Sequence, residues 1–225
     1  MLQELNLAQI AESIDAPYHL VPLVSLGAVD LSLFICEGPK SWHRAADHTE
    51  SLMVLEGVIT LEGKSGMTVV GEGEMARIPA RVPLNYFSGM RSTVVLAQER
   101  VGFSGSNGHR PPGAEHEAVA KHHVAAEVRA REPYDWQRAG VTGGYAMFAT
   151  RLRGRSQPYV VPSGSVVALV YRGVLDYDGD DASGSVVGGQ VLVMPRDARV
   201  VLGSDRGATV VALARRGAPL PRAAT

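Results

Sequence analysis

The chain repeats one sequence plan, because residues in its first half match residues 116 positions later. The matched positions are turn residues, chiefly Gly and Pro, and apolar residues of candidate strands. They are Gly57 with Gly173, Val58 with Val174, Gly73 with Gly189, Pro79 with Pro195, Ser88 with Ser204, Thr93–Val95 with Thr209–Val211, and Arg100 with Arg216. An internal repeat constrains the fold more strongly than any local pattern, since both copies must build the same backbone. The repeat predicts two similar structural units in this chain of 225 residues.

Short apolar runs interrupted by Gly, Pro and Asn occupy both copies, as in Val29–Cys36 and Val166–Tyr171. Only Leu2–Ile14 places apolar residues at helical spacing, and Pro17 ends that pattern. Short strands at this spacing, without long helices between them, are typical of antiparallel barrels and sandwiches. The sequence therefore predicts an all-β fold with a short N-terminal helix.

Composition suggests where one unit ends and the next begins. Residues 102–117 are rich in Gly, Pro and Asn, which is typical of an exposed connector. We expect an N-terminal barrel at residues 1–103, a connector at 104–132 and a C-terminal barrel at 133–225. The tail Arg215–Thr225 is rich in Ala, Arg and Pro, and we expect it to fray.

The charge and hydropathy pattern argues against several classes of partner. A net charge of −1 leaves no basic field to attract a nucleic-acid backbone or an anionic lipid surface. No apolar run approaches the roughly 18 residues that a membrane helix needs. The single cysteine, Cys36, cannot form an internal disulfide. We expect a cytoplasmic protein that binds neither nucleic acid nor membranes.

The stretch from Trp42 to Glu50 contains the reactive side chains of the first copy. Alternate residues of a strand share a face, so His48 and Glu50 converge if the strand begins near His48. His43 is placed to approach them from the preceding turn. Imidazole nitrogen and carboxylate oxygen are suitable ligands for Fe, Mn, Ni, Cu or Zn, and three protein ligands leave positions open for water or substrate. His43, Glu50 and His48 are therefore a candidate site for one divalent transition metal.

The spacing of these residues resembles the paired motifs of the cupin superfamily. Members typically carry H-x-H-x(3,4)-E-x6-G, followed by G-x5-P-x-G-x2-H. The residues of this chain that match are His43, Glu50, Gly57, Gly73 and Pro79, within residues 38–84. The resemblance implies two tandem double-stranded β-helix (jelly-roll) barrels, which is the bicupin arrangement, with a pocket inside the first barrel.

The resemblance breaks down at the ligand positions. Ala45 stands in place of the second histidine, Arg81 in place of the motif glycine, and Leu84 in place of the final histidine. At the equivalent positions the second copy has Tyr159, Val161, Val166 and Val200. The resemblance thus implies a degenerate metal motif in the first barrel and a structural role for the second.

Three roles for His43 and Glu50 stay open. They could hydrogen-bond each other inside the barrel, as buried polar groups require. They could bind a metal together with His48, which would make the protein a metal-dependent oxygenase, isomerase or lyase. They could also act as an acid and a base without metal, because burial favours the neutral form of Glu50.

We favour a bicupin that binds a small molecule in its N-terminal barrel and lacks the full cupin metal site. The cofactor is then either none or a single divalent metal, and whether the protein is an enzyme is left open. The predicted pocket residues are His43, His48, Glu50, Leu84 and Tyr86. Small barrels leave strand edges to cover, so we also expect a homodimer.

Overall fold

The computed structural model of the protein describes residues 1–40, 48–63, 66–100 and 118–224. Within these ranges the chain forms short strands and two short helices. In chain order they are β1 (Gln3–Asn6), α1 (Leu7–Glu12), β2 (Val21–Leu26), β3 (Val29–Pro39), β4 (Glu50–Glu56), β5 (Val58–Gly63), β6 (Gly66–Gly71), β7 (Glu74–Ile78), β8 (Leu84–Glu99), β9 (Ala120–His123), α2 (Val124–Arg129), β10 (Gln137–Thr142), β11 (Tyr145–Arg155), β12 (Tyr159–Val160), β13 (Val166–Gly179), β14 (Ser183–Val187), β15 (Gln190–Met194) and β16 (Arg199–Arg215).

The strands form two antiparallel sheets, and the predicted all-β jelly-roll fold is confirmed. One sheet has the strand order β2-β3-β8-β4-β7-β9, with β5 between β6 and β8. The other has the order β1-β15-β13-β16-β11-β10, with β12 on β16 and β14 on β13. None of the described helices is long and apolar enough to cross a membrane.

The chain divides into two compact units. The N-terminal unit consists of Ala11–His123 and Gly140–Gly144. The C-terminal unit consists of Met1–Ile10, Val124–Ala139 and Tyr145–Thr225. These units differ from the predicted ranges 1–103 and 133–225, because each takes a short segment from outside its own range.

The exchanged segments are the leading strands of the two copies. Strand β1 pairs with β15, placing Leu5 opposite Val191, and β9 pairs with β7, placing His123 opposite Glu74. An exposed sheet edge carries unpaired backbone groups, and an added strand satisfies them. Each leading strand therefore completes the sheet of the other copy, which composition alone does not indicate.

The N-terminal helix is shorter than the sequence predicted. Its pattern of apolar residues starts at Leu2, but β1 comes first and the helix begins at Leu7. The Asn6 side chain accepts a hydrogen bond from the backbone N–H of Gln9 at 3.1 Å, so it caps the helix. In these first residues, backbone pairing with β15 determines the structure, although their apolar residues have helical spacing.

Two other segments have more structure than their composition indicates. The predicted connector 104–132 contains β9 and α2, in which Val124 and Val128 are buried; residues 101–117 lie outside the described residues. The tail was expected to fray, but the backbone N–H of Gln157 donates to Arg222 O at 2.8 Å, and that of Ala224 donates to Arg155 O at 2.9 Å. These pairings fix the tail to the C-terminal unit.

The repeat is visible in the backbone itself. Gly57 and Gly173 adopt positive φ of 86° and 89°, and a Cβ atom at either would collide with the chain that crosses it, at Ser92 or Gly207. Only glycine meets both requirements without strain. The match between Gly57 and Gly173 is therefore explained by a close approach of two chain segments that occurs once in each copy.

A second repeated feature of the backbone is a pair of tyrosines with positive φ. Tyr18 and Tyr134, which are 116 positions apart, both adopt φ of 64°, an uncommon conformation for a bulky residue. The Tyr18 hydroxyl donates to Gly38 O, and the Tyr134 hydroxyl lies 3.0 Å from Gly154 O, the equivalent atom. Each tyrosine therefore hydrogen-bonds to the carbonyl group of the equivalent glycine in its own copy.

Candidate functional site

A cavity of about 170 Å³ lies inside the N-terminal unit. Its walls combine three aromatic rings, two aliphatic side chains, one amide and two ionisable groups of opposite sign. The lining residues are Tyr18, Leu20, Phe34, Lys40, Glu50, Tyr86, Leu96 and Gln98. A concave, largely apolar space with a few polar groups is the usual form of a small-molecule site.

Three neighbouring strands, β3, β4 and β8, place five of these side chains. Strand β8 lies between β3 and β4, with Phe34 opposite Val94 and Leu52 opposite Leu96. Alternate residues of a strand share a face, so Leu96 and Gln98 of β8 both reach the cavity. Glu50 is the first residue of β4 and therefore enters from its end.

The aromatic side of the cavity is built on Phe34. The Phe34 ring lies 6.4 Å from that of Tyr18 and 6.3 Å from that of Tyr86, with an edge-on arrangement in the second pair. Rings at such distances attract each other beyond their buried area, by about 0.5–1.5 kcal/mol per pair. The three rings thus form a preorganised apolar wall.

Tyr18 is held at this wall by hydrogen bonds as well as by packing. Its hydroxyl donates to Gly38 O, accepts a weak hydrogen bond from the Cys36 thiol at 3.4 Å, and lies 3.4 Å from Tyr86 O. Burial raises the pKa of both the Tyr18 hydroxyl and the Cys36 thiol. Both groups therefore stay neutral near pH 7.

Lys40 brings a positive charge to the cavity. Its backbone N–H donates to Tyr86 O at 2.8 Å, which fixes the residue directly after β3. Its ammonium nitrogen lies 5.3 Å from the centre of the Tyr18 ring and 5.7 Å from that of Tyr86. A cation at these distances from an aromatic face is attracted to it.

Glu50 is the acidic group of the cavity. Burial raises the pKa of its carboxyl group, and the charge of Lys40 only partly opposes this effect. The Tyr86 pKa is also raised, first by burial and then by the negative charge of Glu50. A carboxyl group with a raised pKa can give or take a proton closer to neutral pH than an exposed one.

The structure separates the predicted pocket residues. Glu50 and Tyr86 line the cavity. Leu84 is buried in the hydrophobic cluster of the same unit but is not among the lining residues. His48 is half-buried and is likewise not among them, whereas His43 lies outside the described residues.

Sequence reasoning missed most of the lining. Tyr18 and Leu20 precede β2, Phe34 lies in β3, and Lys40 directly follows β3. These positions precede the cupin-like motif in the sequence. Comparison with the residues 116 positions later singles out Phe34 and Lys40, which Thr150 and Ser156 replace, but not Tyr18, which is Tyr134 in the second copy.

The equivalent positions of the C-terminal unit have a different character. Lys40, Glu50, Tyr86 and Gln98 correspond to Ser156, Val166, Leu202 and Ala214. Val166, Leu202 and Ala214 belong to the hydrophobic cluster of that unit. Trp136, the counterpart of Leu20, packs against the same cluster. The second copy thus uses as core several of the positions that line the cavity in the first.

Comparisons with known proteins give no match by family model and none among curated proteins. Solved structures do match. A cupin 2 conserved barrel domain protein from Leptotrichia buccalis has a TM-score of 0.75 at 12% sequence identity, over 95% of this chain and 96% of that one. This chain has the cupin fold.

A second cupin structure shares the fold over a similar length. Salicylate 1,2-dioxygenase from Pseudaminobacter salicylatoxidans has a TM-score of 0.71 at 10% identity, over 96% of this chain and 84% of that one. A variant of this dioxygenase in complex with gentisate has a TM-score of 0.69 at 12% identity, over 96% of this chain and 82% of that one. At these identities the likeness concerns the cupin fold alone.

The described residues do not fit the metal centre that the cupin motif implies. Among them, no group of three or more His, Cys, Asp or Glu side chains is placed to hold a metal ion. Two of the four ligand positions are Ala45 and Leu84, which have no donor atom. Glu50 faces the cavity, but it shares the lining with the Lys40 ammonium, which cannot ligate while it is charged.

Proposed function

We propose that this protein is a bicupin whose N-terminal barrel binds a compact small molecule in the cavity beside Glu50 and Lys40. One observation carries the proposal: the polar side chains of Glu50 and Gln98 line the cavity in the first copy, whereas their counterparts Val166 and Ala214 belong to the core of the second. If these positions served stability alone, similar residues would be expected in the two copies.

The volume of the cavity limits the size of the ligand. An apolar protein cavity of about 150 Å³ accommodates one benzene molecule. The cavity of about 170 Å³ therefore suits a single six-membered ring with a small substituent. The wall formed by Tyr18, Phe34 and Tyr86 favours a planar, partly apolar compound.

The structural relatives support this range of ligands by analogy only. One of them was solved with gentisate, and it shares the fold of this chain at low identity. Fold similarity does not transfer an activity, because function depends on the site.

A metal-dependent cupin enzyme is the alternative, and the position of Glu50 in the cavity supports it. Glu50 would then act with His43 and His48 as a ligand in an oxygenase, isomerase or lyase. A third role keeps Glu50 as a metal-free acid or base, in accordance with its raised pKa.

Metal analysis of the purified protein separates these alternatives. The protein is prepared without added metal, and bound metals are measured by mass spectrometry for wild type and Glu50→Ala. Glu56→Ala is the matched control, because Glu56 is an exposed glutamate of the same strand. We expect a substoichiometric metal content that neither substitution changes. Stoichiometric metal that is lost only in Glu50→Ala would establish the enzyme alternative instead.

Ligand screening tests the pocket directly. Wild type and a cavity-filling variant, Leu96→Trp, are screened against single-ring compounds by ligand-observed NMR. We expect compounds that bind wild type and not the variant, provided that thermal unfolding shows both to be folded. Binding that is equal in the two proteins would place the ligand elsewhere and contradict the proposal.

The predicted homodimer has a candidate surface. Exposed apolar side chains gather on β5, β6 and β8 of the N-terminal unit, and these are Val58, Met67, Val69, Phe87 and Met90. Patches of this kind mark association sites when they are contiguous. Light scattering of wild type and of the double variant Met67→Ser, Val69→Ser tests the prediction. We expect wild type to be a dimer and the double variant to dimerise more weakly. A wild-type monomer at micromolar concentration would contradict it.

A further inference from the structure

Lys40 differs from every other residue of the cavity. It is the one cationic side chain among the described residues that line it, and the predicted cupin motif assigns it no role. Its counterpart in the C-terminal unit is Ser156, whose hydroxyl accepts a hydrogen bond from the backbone N–H of Leu202 at 2.9 Å. The backbone of the two residues is nevertheless held alike, since Lys40 N donates to Tyr86 O and Ser156 N donates to Leu202 O.

The aromatic wall keeps the ammonium group at the cavity. A lysine side chain next to water normally extends into solvent, because its charge is strongly hydrated. Here the nitrogen of Lys40 lies near two ring faces, those of Tyr18 and Tyr86. Cation–π attraction to both rings offsets part of the lost hydration and restricts the side chain. The positive charge is thus positioned before any ligand arrives.

Glu50 is the one acidic side chain among the described residues that line the cavity with Lys40. On its other side the ammonium group lies near the rings of Tyr18 and Tyr86, which attract a cation but carry no countercharge. A ligand that carries its own negative charge would place that charge beside the ammonium group.

We propose that Lys40 determines the specificity of the cavity by binding the anionic group of a compact single-ring ligand, without a metal ion between them. This inference rests on the proposed small-molecule site and names the class of ligand that the site accepts. The ring of the ligand packs on the wall around Phe34, and its anionic group contacts the ammonium group beside Tyr18 and Tyr86. Lys40 acts as a binding residue, and no covalent step is assigned to it.

The test compares benzoate with benzamide, which share a ring and a planar substituent and differ in charge. Affinities for the full-length protein are measured by isothermal titration calorimetry for wild type, Lys40→Met and Lys40→Arg. Lys121→Met is the matched control, because it removes a lysine on β9 that does not line the cavity. Thermal unfolding verifies that each variant is folded.

Wild type should bind benzoate about tenfold or more tightly than benzamide, because charge-assisted hydrogen bonds are stronger than neutral ones. Lys40→Met should remove this preference, and Lys40→Arg should keep most of it. The Lys121→Met control should bind as wild type does.

Three results would overturn the inference, and they differ in what else they overturn. Equal affinity of wild type for both compounds, or an unchanged benzoate preference in folded Lys40→Met, refutes the role of Lys40 but leaves the pocket in place. If neither compound binds wild type at millimolar concentration, both the role of Lys40 and the proposed single-ring site are refuted.

Discussion

The cavity of the N-terminal unit and the matching region of the C-terminal unit show how one backbone serves two purposes. In the first, Lys40, Glu50 and Tyr86 surround a space of about 170 Å³. In the second, Val166 and Leu202 stand at matching positions in the core. The difference teaches that the repeated residues specify the scaffold, whereas the residues that differ between copies specify the site.

The C-terminal tail adds to this contrast. The indole N–H of Trp136 donates to Pro221 O at 2.8 Å, and the Tyr159 hydroxyl donates to Pro219 O at 3.2 Å. Leu220 packs against the hydrophobic cluster of the same unit. The tail thus contributes to the core of the second copy. The counterparts of these tail residues in the first copy lie at 103–105, outside the described residues.

The largest expected effect comes from exchanging the residues at one matched position. Val166 is 1% exposed, so Val166→Glu buries a carboxyl group in an apolar core and should cost about 3 kcal/mol or more of unfolding free energy. The reverse change, Glu50→Val, should cost little or stabilise the protein, because it removes a carboxyl group whose pKa burial raises. Urea unfolding followed by circular dichroism measures both. Similar losses for the two variants would break the contrast between the units.

A second exchange concerns Trp136 and Leu20. Trp136→Leu removes core packing and the hydrogen bond to Pro221, and we expect a loss of about 2–4 kcal/mol in unfolding free energy. Leu20 is 37% exposed, so Leu20→Trp should change stability by less than about 0.5 kcal/mol while it narrows the cavity. Calorimetric melting checks stability, and benzoate titration checks the cavity. A large destabilisation by Leu20→Trp would show that the first unit tolerates no filling at this site.

Loss of the hydroxyl group should destabilise the fold similarly at Tyr18 and Tyr134, although only Tyr18 lines the cavity. Tyr18→Phe and Tyr134→Phe each remove a hydroxyl that hydrogen-bonds a glycine carbonyl group. We expect each to cost about 1–2 kcal/mol in unfolding free energy. Chemical denaturation measures the two losses under identical conditions. A neutral Tyr18→Phe beside a costly Tyr134→Phe would contradict a shared structural role.

The smallest effect concerns the pH dependence of stability. A carboxyl group with a raised pKa in the folded protein stabilises the fold below the unfolded pKa, and this contribution is lost as pH rises through the folded value. Glu50→Gln should therefore gain stability relative to wild type as pH rises above the ordinary glutamate pKa of 4.5. Urea midpoints measured from pH 4 to pH 8 show the trend.

Glu74 provides a control, because the pKa of its carboxyl group is shifted in the opposite direction. Burial alone would raise the pKa of its carboxyl group, but the Gly71 N–H and the Lys121 ammonium lower it. A lowered pKa stabilises the fold above the unfolded value and is lost as pH falls. Glu74→Gln should therefore be less stable than wild type near neutral pH, with a difference that disappears in acid. Parallel trends for the two variants would contradict the assigned environments.

Much of the fold could be predicted from the sequence because its strongest signals are geometric. Gly57 and Gly173 match since each passes close to a crossing chain at positive φ, a condition that few other residues satisfy. The exchanged strands β1 and β9 could not be predicted in the same way. Backbone hydrogen bonds to a distant edge carry no side-chain signature, and Leu2–Ile14 has the apolar spacing of a helix.

The site was predictable only in part, for a related reason. Glu50 and Tyr86 were identified because they lie in or near a known motif, and both line the cavity. Leu84 occupies the position of the final motif histidine and shares a strand face with Tyr86, yet it lies in the hydrophobic cluster and does not line the cavity. Lys40 and Phe34 come from β3 and its end, and only the fold brings them beside Glu50.

The most direct test of the account is a chemical-shift map of the isotope-labelled protein titrated with benzoate. The account predicts saturable shifts at the amides of Phe34, Lys40, Glu50 and Tyr86, and none beyond noise at their counterparts Thr150, Ser156, Val166 and Leu202. Equal shifts in the two sets, or shifts confined to the second, would contradict the claim that the N-terminal unit alone keeps a ligand site at this place in the repeat.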